Sequence, residues 1–232
     1  MQYKNLILIG TSHIASHAAT HVQETIQTHL PNIVALELDK KRLYSLLHPS
    51  NQKISLRDIP RIGIQGTIFA MLGAWAEKSL GAQIGTTPGV EMLAAYTAAQ
   101  QCKARIALID QDIERTLKAI KLTWKERWHF FMDILSSFIF KKNVVTFDLR
   151  TVPNDELIQQ LITILKKRYP SLHHTLVVER NQFMAKQLAA ILRYETEKPI
   201  IAVMGAGHVK EVMILVKKYL NTTPDKRENG LS

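Results

Sequence analysis

Four short apolar runs constrain this chain more than anything else in it. Leu6-Ile7-Leu8-Ile9, Ile33-Val34-Ala35-Leu36, Ile106-Ala107-Leu108-Ile109 and Ile200-Ile201-Ala202-Val203-Met204 carry no polar residue. Uninterrupted runs of this length are the mark of strands covered on both faces, which belong to parallel sheets flanked by helices. The run after residue 5 is followed by helical spacing: Ser16 is an N-cap, Val22, Ile26 and Leu30 form an i, i+4, i+8 stripe, and Pro31 stops the helix before the second strand. The expected fold is therefore α/β, a mostly parallel sheet flanked by helices with a large helical insertion.

Each run also ends on a residue with a purpose. The first and last stop at Gly10 and Gly205, and each glycine is followed three residues on by a histidine, His13 and His208. The second leads into Glu37 and Asp39, and the third into Asp110. Parallel strands deliver such residues to one sheet edge, so distant segments converge there. Two imidazoles and two carboxylates suit a divalent metal of the Zn, Mn, Co or Fe type, or an acid and base acting on a bound nucleophile.

Other chemistries fit less well. Gly205-Ala206-Gly207 opens a dinucleotide fingerprint, but Lys210 holds the third glycine position. No P-loop and no Gly-x-Ser-x-Gly elbow follows a strand, and Cys102 precedes one. His13, His17 and His21 are spaced i, i+4, i+8, yet Ala18 follows His17 where a zincin helix needs Glu, so His17 and His21 are assigned to the surface. His173-His174 reads as a loop pair.

A single domain is expected over residues 1–220, with helical insertions at about 40–88 and 113–195 and a polar tail over 221–232. A helix is expected from Val90 to Cys102, and residues 113–192 read as mostly helical, broken at Pro153 and at Tyr169-Pro170. The charge-free stretch Ile62–Ala76 is shorter than the roughly 20 residues of a membrane helix, and is expected to pack over the core or the cleft mouth. With 46% hydrophobic residues the 232-residue chain can bury a sizeable core, and one cysteine fits a reducing compartment. The formal charge of +10 lies in scattered clusters such as Lys40-Lys41-Arg42 and Lys166-Lys167-Arg168, which indicates solvation or attraction to an anionic membrane rather than nucleic-acid binding. The expected location is cytoplasmic, free or membrane-associated.

With these residues in place, the chain resembles the TraB/PrgY pheromone-shutdown family, related to the Tiki metalloproteases and more distantly to ChaN and the erythromycin-esterase-like proteins. The elements that carry the resemblance occur in order: Gly10-Thr11-Ser12-His13, Glu37-Leu38-Asp39 with Arg42, Pro88-Gly89-Val90-Glu91-Met92, Leu108-Ile109-Asp110-Gln111-Asp112-Ile113 with Thr116, Glu179-Arg180-Asn181 with Met184, and Gly205-Ala206-Gly207-His208. The resemblance implies a metal-dependent, peptidase-like site. His13, Glu37 and His208 would bind a divalent ion (Mn, Co or Zn) or act in catalysis, with Glu37 as ligand or general base. Gly10, Asp39, Arg42, Glu91, Asp110, Asp112, Glu179, Arg180, Asn181, Gly205 and Gly207 would support that site or contact substrate. Gln111 stands where relatives more often carry arginine, and the membrane-spanning C-terminal region of many relatives is not expected here. The partners expected are a peptide or small-molecule substrate, a peripheral membrane contact and a second copy of the chain. The rival reading is a non-catalytic module that sequesters a peptide or small ligand in the same cleft.

Overall fold

The computed structural model describes residues 1–11, 17–48, 89–130, 132 and 154–222. Ile62–Ala76, Pro153 and the tail beyond Thr222 lie outside the described residues, as does His13. The sheet is built from β1 (Gln2–Tyr3), β2 (Leu6–Thr11), β3 (Ile33–Leu36), β4 (Arg105–Leu108) and β5 (Ile200–Gly205), in the order β1-β2-β5-β3-β4. Among the described residues only the β1–β2 pair is antiparallel, turning through Lys4 at φ 52°. β2, β5, β3 and β4 run parallel, with Leu6 opposite Ile200, Ile200 opposite Ile33 and Ile33 opposite Arg105. All four apolar runs are thus strands of one sheet, and the last to be made in sequence lies at its centre.

β5 is the strand the apolar pattern described best, because it is covered on both faces. Ile200, Ala202 and Met204 face a layer made of Met184, Leu188, Val209, Val212 and Val216, which come from α7 (Glu179–Tyr194) and α8 (Ala206–Asn221). Ile201 and Val203 face Val22 and Ile26 of α1 (Ala18–His29) and Met92, Ala95 and Ala98 of α3 (Val90–Gln101). Period-two alternation puts successive strand residues into opposite layers, and each fully buried Leu, Ile or Val contributes roughly 1.5–3 kcal/mol. The remaining described elements include α2 (Lys40–Leu47), α4 (Ile113–Ala119), α5 (Asn154–Arg168) and α6 (Pro170–His173).

Three local expectations are corrected. Leu30 does not extend the buried stripe of α1: the chain leaves the helix there at φ 44°, leaving the side chain 67% exposed. The N-cap of α1 is His17 rather than Ser16, and it makes no side-chain capping bond. His173-His174 is not a loop, because Pro170 starts α6 at its N1 position and the chain passes through a π-helical turn, His174–Val178, directly into α7.

Candidate functional site

The C-terminal ends of β3, β4 and β5 bring the strand-end residues together. Beyond Leu36 the Glu37 amide still donates to Val203 O at 3.0 Å, which holds this residue against the end of β5. Its buried carboxylate then accepts from the Gly205 amide at 2.6 Å through Oε2 and from Arg180 Nη2 through Oε1. His208, in the first turn of α8, places Nε2 3.4 Å from the same Oε1.

Asp110 is the hub of the charge network. It accepts from Arg180 Nε at 3.1 and 3.2 Å, from Arg180 Nη2 at 2.6 Å, from Arg42 Nη2 at 2.5 Å and from the Gln111 amide at 2.8 Å. Burial pushes its pKa up, but the charges and hydrogen bonds of Arg180 and Arg42 outweigh that and hold it below the usual carboxylate value. Arg42 is itself oriented by Asp39, whose Oδ2 accepts from Arg42 Nε at 2.7 Å while Oδ1 caps α2 by accepting from the amides of Lys41 and Arg42. One short side chain therefore starts a helix and aims an arginine at the site.

Arg180 and Asn181 owe their positions to the π-helical turn just before them. Widened turns of this kind shift the residues that follow around the helix axis and recur at functional sites. Arg180 Nη1 donates to Leu176 O within that turn at 3.3 Å. Burial opposes the charge on Arg180, and Glu37 and Asp110 more than restore it. With each of its nitrogens donating inside the protein, Arg180 braces two carboxylates. Asn181, also buried, puts Oδ1 2.5 Å from His208 Nδ1. An amide oxygen only accepts, so Nδ1 carries the proton and Nε2 the lone pair. Burial pushes the His208 pKa below its ordinary value; Glu37 and Asp110 pull it up, and Arg180 and Arg42 push it down. In its neutral form the imidazole turns its Nε2 lone pair to the Glu37 carboxylate.

Glu37, Asp39, Arg42, Asp110, Arg180, Asn181, Gly205 and His208 thus form one connected cluster. Gly10 sits beside it on β2, where a Cβ would stand 2.9 Å from Val209 Cγ2. Gly207 lies in the first turn of α8. Glu91 is buried in the first turn of α3. Asp112 caps α4 and pairs with Lys41 at 2.9 Å, on the outer side of α2. Glu179 points away, half-exposed and 3.3 Å from His174 Nδ1. His17 and His21 are exposed, as the absence of a zincin glutamate indicated. Among the described residues no three His, Cys, Asp or Glu side chains are grouped to hold a metal. The donors that could do so are His208 Nε2 and Glu37. The π-helical turn, with its Leu176 carbonyl, has no counterpart in the spacing of apolar residues and was missed.

The sequence pattern of the TraB/PrgY/gumN family matches residues 2–218. An uncharacterised protein of Methanocaldococcus jannaschii is 31% identical over 221 residues, covering 94% of this chain and 54% of that protein. The TraB domain-containing proteins of Bos taurus and Homo sapiens are each 25% identical over 230 residues, covering 87% of this chain and 60% of theirs. The chain spans little more than half the length of the relatives it matches.

Proposed function

The chain belongs to the TraB/PrgY/gumN family, and on that premise we propose that it is a metal-dependent hydrolase of the peptidase-like type. The observation that carries this reading is the buried pairing of His208 with Glu37. A lone pair on Nε2 and a carboxylate oxygen face each other at 3.4 Å, two acceptors with no proton between them while the imidazole is neutral. Such a donor pair suits a divalent Mn, Co or Zn ion, and an imidazole fixed through its other nitrogen is the usual companion of a metal. His208 and Glu37 would hold the ion together with His13. When bound, it would supply a water of lowered pKa and polarise a carbonyl. The protein's own groups do the rest. Asn181 selects the tautomer in which the neutral ring keeps its lone pair on Nε2, Arg180 neutralises and aims Glu37, and Asp110 with Arg42 holds Arg180 in place. Glu37 serves as ligand or as general base, and Glu37→Gln separates the two roles: a base variant retains metal and loses turnover, whereas a ligand variant loses both.

The commitment of Glu37 Oε1 to Arg180 favours one rival, a cleft that sequesters a peptide without cleaving it. The deciding experiment measures metal content and cleavage of a mixed peptide library by the parent, His13→Ala and His208→Ala proteins, with His17→Ala/His21→Ala as the control. The proposal expects both single changes to abolish metal retention and hydrolysis, and the surface pair to leave both within a few-fold of the parent. Saturable peptide binding without product in the metal-replete parent would establish the rival instead.

A further inference from the structure

Residues 124–130 form a helix whose rotation is set from its inner side. Thr123 and Glu126 make a capping box: Glu126 Oε2 accepts from the Thr123 amide and hydroxyl at 2.7 Å each, and the Glu126 amide donates back to Thr123 Oγ1 at 3.3 Å. The other oxygen, Oε1, accepts from the Ser171 amide of α6 at 2.7 Å, so the same buried carboxylate ties this helix to its neighbour. With Glu126 held inward, the residues two before and two after it point outward. They are Trp124, 83% exposed, and Trp128, 62% exposed, and Met132 follows one turn on at 41%.

Two tryptophans on one exposed stripe represent apolar area that ordinary folding would cover, and an exposed patch of that kind marks a contact surface. Among the described residues of this stretch, the exposed charges are basic. Arg115, Lys118, Lys121, Lys125 and Arg127 are exposed, with Arg127 5.8 Å from the centre of the Trp124 ring. The carboxylates of the same stretch are taken up: Glu114 pairs with Lys41 at 3.0 Å and Glu126 is buried. Indole rings next to lysines and arginines are what the boundary of an anionic bilayer accepts, the rings at headgroup depth and the cations on the phosphates. We infer that the face carrying Trp124, Trp128 and Met132 rests on an anionic lipid surface, so that the chain acts as a peripheral membrane protein through this helix. No helix among the described residues is long and apolar enough to cross a membrane, and the contact needs none. The inference stands apart from the chemistry at His208.

The test is co-sedimentation of the full chain with vesicles of phosphatidylcholine alone and of equal parts phosphatidylcholine and phosphatidylserine. The parent is expected to partition onto the mixed vesicles, weakly at high salt, and to stay in solution with the neutral ones. Trp124→Ser/Trp128→Ser and Lys121→Glu/Lys125→Glu, both checked for an unchanged thermal midpoint, should each weaken partitioning by about tenfold or more. The inference is overturned if the parent ignores mixed vesicles or if the tryptophan variant partitions like the parent. It is equally overturned if the tryptophans instead support binding of single-stranded RNA or hold two copies together in solution.

Discussion

At the residue scale the site is governed by how buried charge is compensated. Arg180 serves two carboxylates at once, and Asp110, whose side chain has no exposed surface, depends on it. Removing one partner of a buried network leaves the other charge stranded, so Arg180→Met is expected to cost about 3–5 kcal/mol in urea unfolding. Arg180→Lys should recover only part of that, since an ammonium cannot reproduce the fork that spans Glu37 and Asp110. A loss below about 1 kcal/mol would mean the network behaves like an exposed ion pair. Asn181 gives a second residue-scale test. Asn181→Asp would put a carboxylate against His208 Nδ1 and stabilise the imidazolium, so the His208 titration followed by NMR should move to higher pH than in the parent. An unchanged titration would show that Asn181 does not set the tautomer.

At the scale of elements, close approach matters more than charge. β2 and α8 meet at Gly10, where an added Cβ would lie 2.9 Å from Val209 Cγ2 and 3.2 Å from the backbone Cα of Ala206. Gly10→Ala is therefore expected to destabilise by about 1–3 kcal/mol, as overpacking does. Pairing it with Val209→Ala should recover part of the loss, because the side-chain contact is relieved and the backbone contact is not. Strictly additive losses in thermal unfolding would place the strain elsewhere. Leu30 offers the opposite case. It ends α1 in the left-handed region with its side chain in solvent, a conformation glycine adopts without penalty. Leu30→Gly should leave the unfolding free energy unchanged or raise it by about 1 kcal/mol at most, read from urea unfolding, despite the loss of largely exposed apolar surface.

For the whole molecule these local shifts add into one pH dependence. His208 and His173 are depressed by burial, and Asp110, Asp112 and Glu126 are held low by hydrogen bonds and neighbouring charge. In every case the unfolded chain binds the proton more readily, so stability rises with pH across these titrations and falls as pH falls. The loss should begin as pH drops below the ordinary histidine value near 6.5 and steepen below the ordinary carboxylate values near 4. His208→Gln should flatten the upper part of the urea-midpoint profile and leave the lower part, which belongs to the carboxylates. A profile flat from neutral pH to about 5 in the parent would contradict the burial of His208.

The strands and the sheet edge where chemistry gathers were legible in the sequence, because a strand covered on both faces must be apolar at every position. Residues that end such runs, Glu37, Asp39, Asp110 and Gly205, announced themselves by interrupting them. What no run of letters contained was who meets whom. Arg180 reaches Glu37 across 143 residues and Gly205 reaches it across 168, contacts that exist only because β5 inserts between β2 and β3. The π-helical turn that aims Arg180 and Asn181, the inward Glu126 that turns two tryptophans outward and the left-handed exit at Leu30 belong to the same class. Local pattern follows from the period of the chain and was settled by the sequence, whereas pairing follows from strand order and packing and was decided only when the tertiary structure closed.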